Sequence, residues 1–204
     1  NLSKADFAVV FTPGEARDAL HGHIRFGLQA IKGAGEGAIR AIIAERDAKG
    51  PFKDIFDFCG RVDLRSVNRA TVERLVAAGA FDGLHGVEAR ASLVATIPDA
   101  MAAGQALAKD RRSGQMSLLG DFELSAPETA SSFVGTLRRV EPWDRITALQ
   151  KERDSLGFHV SGHPLDEHRR LMEVFCNADT ALIQDRPEDA PVVMAAVVTS
   201  VRPS

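Results

Sequence analysis

The sequence predicts a mainly α-helical protein organised around a tandem pair of helix-hairpin-helix units. A small N-terminal β-hairpin precedes them, and a helical linker region and one strand of a further β domain follow. Three observations carry this expectation. First, an apolar residue, Ile31, leads into Lys32-Gly33-Ala34-Gly35-Glu36 and then into a strongly helical run, Gly37 to Ala48. The glycines permit positive φ in a tight turn between helices. Second, a shift of 33 residues lays Ile31 on Leu64, Gly33-Ala34-Gly35 on Ser66-Val67-Asn68, and Ile39, Ile42 and Ile43 on Val72, Leu75 and Val76. Third, Val87 to Arg112 is rich in alanine and carries no strand alternation.

The elements follow in order. Phe7 to Phe11 and His23 to Leu28 read as two short strands joined by a loop holding Pro13-Gly14. The first hairpin comes next, and its helix ends at Lys49-Gly50-Pro51, a glycine-then-proline stop. A short helix, Asp54 to Cys59, has its aspartate at the dipole-favoured end. The second hairpin has lost its glycines, but Asn68 is the non-glycine type best suited to positive φ. Gly79 is a C-cap candidate. At Pro98 the long helix either restarts, with Thr96 and Asp99 as a capping box, or kinks. Residues Glu123 to Thr136 read as a Ser/Ala/Pro/Thr-rich linker, Pro142 as an early residue of the next helix, and Ser161 to Leu165 as a turn into a last helix toward Phe175. The β-branched run from Val192 to Val201 reads as a strand.

Composition bounds what such a chain can do. The 204 residues are 45% hydrophobic and 26% charged, an ordinary globular balance. No apolar run approaches the ~20 residues of a membrane span, and no signal-peptide pattern opens the chain. The absence of an initial Met and the apolar run at the far end read as the cut ends of a longer chain. Cys59 and Cys176 show no metal-ligand spacing and read as core thiols in a reducing cytoplasm. His159 and His163 have i,i+4 spacing, but Gly162 and Pro164 break the helix that would align them, so no metal is assigned.

The net charge of −3 excludes a polycationic nucleic-acid binder. Residues 31–75 are less acidic, with nine Lys/Arg against seven Asp/Glu, which suits a local, backbone-directed contact. The N–H groups opening the helix after the glycines lack intrahelical partners and can meet a phosphate. The candidate DNA-binding residues are therefore Lys32, Gly33, Ala34, Gly35 and Glu36 in the first hairpin, with Arg65, Asn68 and Arg69 around the second; Arg61 lies beside these. The plain alternative is a helical turn that happens to hold two glycines. Further along, Gln115-Met116-Ser117-Leu118-Leu119 sits between glycines. It reads either as a linear docking peptide, with two leucines for a groove and one oriented amide, or as an apolar tether packed on its own domain.

These residues also carry a resemblance. Ile24 through Glu36, Gly50-Pro51-Phe52 with Asp57-Phe58, Asn68-Arg69, Ala78 through Asp82, and Leu156-Gly157-Phe158 through Ser161-Gly162-His163-Pro164 resemble the C-family bacterial replicative polymerases, the alpha subunits of DNA polymerase III. The resemblance implies a layout: residues 1–30 as a β-hairpin at the end of the polymerase core, 31–113 as the tandem helix-hairpin-helix domain, 114–140 as clamp-binding motif and linker, 141–190 as a helical connector, and 191–204 as the start of an OB-fold. It implies that the Gly33-Ala34-Gly35 hairpin contacts duplex DNA without reading sequence. It places Gln115 to Leu119 where the family carries its sliding-clamp motif, with Leu119 in place of the aromatic. It implies no catalytic residue here. The Mg2+-dependent nucleotidyl transfer belongs to aspartates upstream, and the expected partners are duplex DNA, the clamp's beta subunit and other replicase subunits. A connector without its own ligand and a helix-hairpin-helix DNA-repair module are the rival readings.

Overall fold

The structure, a computed structural model, describes residues 2–17, 21–113, 135–181, 183, 186–198 and 200–202. It divides into two units, Asn1–Phe158 and His159–Ser204. The expected β-hairpin is present. Strands β1 (Ala8–Val10) and β2 (His23–Arg25) pair antiparallel with Val9 opposite Ile24. The Glu15 carboxylate accepts from the Thr12 and Gly22 N–H groups at 2.7 and 2.8 Å and so staples the connecting loop. The segment before β1 also passes beneath the first hairpin, where Leu28 N–H and Gln29 N–H donate to the carbonyls of Lys4 and Ala5. Gly27 admits this crossing, because a Cβ there would run into the Ala5 carbonyl.

Helix α1 (Glu36–Lys49) follows the glycine hairpin and stops at Gly50 (φ +83°). Helix α2 (Ile55–Arg61) begins at Asp54, whose side chain accepts from the Asp57 N–H. Helix α3 (Arg69–Ala77) ends in a Schellman motif, with Ala80 N–H on the Leu75 carbonyl and Gly79 N–H on that of Val76. The short α4 (Asp82–His85) turns the chain into α5 (Arg90–Ser113). The repeat read from sequence is visible as burial: Ile39 and Ile42 in α1 and Val72, Leu75 and Val76 in α3 all lie in one core with Ile55, Phe58, Leu93 and Ile97. Phe58 meets Phe52 and Phe81 edge-on. Cys59 is sealed in this core, and burial pushes its thiol up to about 12.

Three local expectations differ. The second strand, expected to reach Leu28, ends at Arg25, and a single 3-10 turn, Leu28–Ala30, stands before the first hairpin in place of a full helix. Helix α5 runs through Pro98 without restarting. Thr96 is fully buried, its hydroxyl donates to the Ser92 carbonyl one turn back, and it accepts from the Arg138 N–H at 2.8 Å. Asp99 holds the Arg138 guanidinium at 2.6 and 2.9 Å. Both residues of the supposed capping box thus receive the returning chain. Val140 N–H on the Ser92 hydroxyl and Gly135 against the Phe56 ring extend that attachment. The Arg138 guanidinium holds the Asp99 carboxyl below its usual range, so this contact is complete above that range and weakens as pH falls through the lowered value. Third, Asp144 caps α6 (Arg145–Leu156) by accepting from the Thr147 N–H, which leaves Pro142 outside the helix. Helix α6 packs on α3 and ends at Gly157 (φ +93°).

In the second unit the expected turn is present. The His163 imidazole accepts from Leu165 N–H, and the His163 backbone N–H donates to the Asp166 carboxylate, opening the 3-10 segment Pro164–His168 and then α7 (Arg169–Phe175). Residues 191–198 belong to no ladder among the described residues. Asn177 takes a strand's place there: its N–H donates to the Val193 carbonyl and its side-chain oxygen accepts from Val193 N–H. No described helix is long and apolar enough to cross a membrane.

Candidate nucleic-acid interface

The first hairpin is a rigid turn with one inward and one outward edge. Ile31 and Ala34 are buried and anchor it in the core, while Lys32, Gly33, Gly35 and Glu36 are exposed. The Lys32 N–H donates to the Ser155 carbonyl near the end of α6 at 2.7 Å, and the Ala34 N–H closes the turn on the Ile31 carbonyl. The Ala34 carbonyl accepts from the Thr71 hydroxyl of α3 at 3.3 Å. Gly33 and Gly35 have φ of +76° and +74°, a region that L side chains enter at a cost of about 1–2 kcal/mol. A Cβ at either would point into open space, so backbone conformation, and not crowding, is what calls for glycine.

The outward edge is a set of unengaged amides. The N–H groups of Gly33, Gly35, Glu36 and Gly37 donate to no acceptor among the described residues. Helix α1 adds the positive end of its dipole there. The Lys32 ammonium lies beside the hairpin, over Gly157. Glu36 contributes its amide, but its carboxylate would repel a phosphate; Arg40 offsets this with an exposed ion pair at 3.2 Å. A cavity lined by Gln29, Ile31, Ala34, Gly35, Glu36 and Ile39 opens at the same edge.

The second hairpin occupies the equivalent place with different chemistry. Val67 is fully buried where the first hairpin has Ala34. Asn68 caps α3 as Gly35 caps α1, but with φ −81° instead of positive φ. Its side-chain oxygen accepts from the Thr71 N–H at 2.9 Å, so the second helix start closes one of its own amides. Arg65 is paired with Asp63 at 3.2 Å and Arg69 with Glu73 at 2.7 Å, both on the surface. Arg61 is not a surface cation. Its side chain is 13% exposed, and its guanidinium lies 4.5 Å over the Phe52 ring and donates to the Glu45 and Gly50 carbonyls and the Asp57 carboxylate. It joins α1 to α2. Gln115, Met116, Ser117, Leu118 and Leu119 lie outside the described residues. Thr71 and Ser155, which hold the first hairpin, were not candidates from sequence. Thr71 stands three residues after a cap position, a faint signal, and Ser155 acts through its carbonyl, which every residue type has.

The glycine hairpin and the helices around it are of the helix-hairpin-helix class, and a helix-hairpin-helix motif family model matches residues 1–93. The DNA polymerase III subunit alpha of Pasteurella multocida (strain Pm70) is 40% identical over 150 residues, 72% of this chain and 12% of that protein. That of Vibrio cholerae (serotype O1, El Tor) is 33% identical over 184 residues, 89% of this chain and 15% of that protein. The Escherichia coli K12 subunit is 36% identical over 154 residues, 74% and 13%. The resemblance read from the sequence is thus shown: most of this chain is similar to one segment of the alpha subunits of DNA polymerase III. The chain spans between about an eighth and a sixth of the length of the curated relatives it matches.

Proposed function

We propose that this chain is a non-catalytic segment of a cytoplasmic replicative DNA polymerase that holds product duplex by its sugar–phosphate backbone and docks on the sliding clamp. The observation that carries the first half is the outward edge of the first hairpin: unengaged amides at a helix start, two positive-φ glycines and an adjacent lysine. Such an edge matches phosphate oxygens and has no side chain that reads a base. Lys32, Gly33, Ala34, Gly35 and Glu36 are its contact segment, with Arg65, Asn68 and Arg69 as flanking contacts. Gln115 to Leu119 supply the clamp contact, a reading supported by their sequence pattern and by the relatives' identity as replicase subunits. Residues 191–204 belong on this reading to the entry of an OB-fold.

Nucleotidyl transfer and its Mg2+ belong on this reading to the rest of the subunit. Among the described residues no three His, Cys, Asp or Glu side chains converge on a point that could hold a metal. The mechanism is avidity. Backbone binding alone is weak and salt-sensitive, on the order of 10⁻⁴–10⁻⁶ M. A docking peptide on the same chain raises the local concentration of the other contact.

Gly35→Val forces a β-branched residue into positive φ and turns the amide edge. Its expected effect is a loss of duplex affinity of about tenfold at low salt, shrinking as salt rises. Fluorescence anisotropy with a labelled duplex of arbitrary sequence measures it, and equal titration curves for the two proteins would leave the hairpin a structural turn in a connector. The triple variant Gln115→Ala, Leu118→Ala, Leu119→Ala is expected to abolish binding to a bacterial sliding clamp in a pull-down while the circular dichroism spectrum is unchanged. Retained capture removes the docking role.

A further inference from the structure

The hydroxyl of Thr71, in the second helix-hairpin-helix unit, orients the first hairpin. The Ala34 carbonyl has one partner among the described residues, the Thr71 hydroxyl, 3.3 Å away and 37 residues distant in sequence. Thr71 is 2% exposed, so no water replaces it readily. Its backbone N–H is fixed by Asn68, and its hydroxyl also lies 3.3 Å from that asparagine's oxygen, which already accepts from the amide. In a planar trans peptide the C=O and N–H vectors are opposed. Drawing the Ala34 carbonyl inward therefore turns the Gly35 N–H outward, to the edge where the proposed phosphate contact lies. Glycine at 35 makes this plane easy to rotate, so something other than local sterics has to fix it.

We infer that Thr71 is a positioning residue for DNA binding: it touches no DNA, and it sets the peptide plane whose amide meets the phosphate. The degenerate second unit then has a use even though it has lost its own glycines. Its helix start acts as a bracket for the first. This inference rests on the hairpin reading above.

The test uses the 204-residue chain with Thr71→Val, which keeps the shape and removes the hydroxyl, and Thr71→Ser, which restores the hydroxyl. Duplex affinity is read by anisotropy, and exchange of the Gly35 amide by NMR. Thr71→Val is expected to weaken binding about five- to tenfold. It should also shift the Gly35 amide resonance and change its exchange rate. Thr71→Ser should return both to within about twofold of the parent. If Gly35→Val weakens binding and Thr71→Val does not, the positioning role is overturned while the hairpin reading stands. If Gly35→Val does not change binding, the hairpin reading has failed, and the Gly35 resonance then reports whether Thr71 sets the plane at all. Equal loss of affinity in Thr71→Val and Thr71→Ser, with the Gly35 resonance unmoved, overturns the inference in favour of a packing effect.

Discussion

Replacing Asp82 by alanine is expected to lower the unfolding free energy by about 3 kcal/mol, read from the midpoint of a urea transition. The Arg90 side chain is 6% exposed, and Asp82 grips it with both carboxylate oxygens, one of them 2.8 Å from Nε. The guanidinium reaches the Ala77 carbonyl as well, at the end of α3. Asp82, with direct hydrogen bonds and its charge, holds the Arg90 pKa above its ordinary value. Removing the carboxylate leaves a positive charge buried at the junction of α3, α4 and α5. The double variant Asp82→Ala, Arg90→Leu removes the charge too, and should recover more than half of the loss. If the single variant unfolds at the parental urea concentration, the pair is a solvated contact that adds little to stability. Gly79 belongs to the same corner. Any Cβ there meets the Arg90 guanidinium and the Asp82 carboxylate, in addition to the strain of its φ of +78°.

Gly104→Val is the second large effect, a destabilisation of about 3 kcal/mol. Helix α5 crosses α2 at this glycine. A Cβ would run into the Cys59 carbonyl and come within 3.2 Å of the Gly60 nitrogen, both backbone groups that cannot swing aside. A Cβ on Gly60 would come within 3.3 Å of the Leu107 side chain, so the two helices meet through a glycine on each side. Ala102→Val, two positions away on the exposed side of α5, serves as control and should change stability by less than about 0.7 kcal/mol. A thermal midpoint in Gly104→Val equal to that of the control would mean that the helix pair can part without loss.

The sequence revealed what short-range chemistry dictates. The glycine hairpin, the Gly50 and Gly79 stops and the β1–β2 pair follow from local backbone preferences. The 33-residue repeat followed from the spacing of apolar residues, and those residues form the core. What it hid depended on contacts from far along the chain. Thr96 and Asp99 have the spacing of a capping box, yet the residues that claim them come some forty positions later, at Arg138. Arg61 looks like one more cation on a basic face, but an aromatic ring and three carbonyls of the loop before α2 and the end of α1 hold it inside. Asn68 is the residue type for positive φ, and its amide oxygen found a better use as a cap. The supports of the candidate site, Thr71 and the Ser155 carbonyl, could not be singled out because their partners lie 37 and 123 residues away.

The attachment of Gly135, Arg138 and Val140 to α2 and α5 has a mechanical consequence. Gly135 lies on the Phe56 ring of α2, while Arg138 and Val140 are bonded to Thr96, Asp99 and Ser92 of α5, so parting the two helices would also have to break this outer strap.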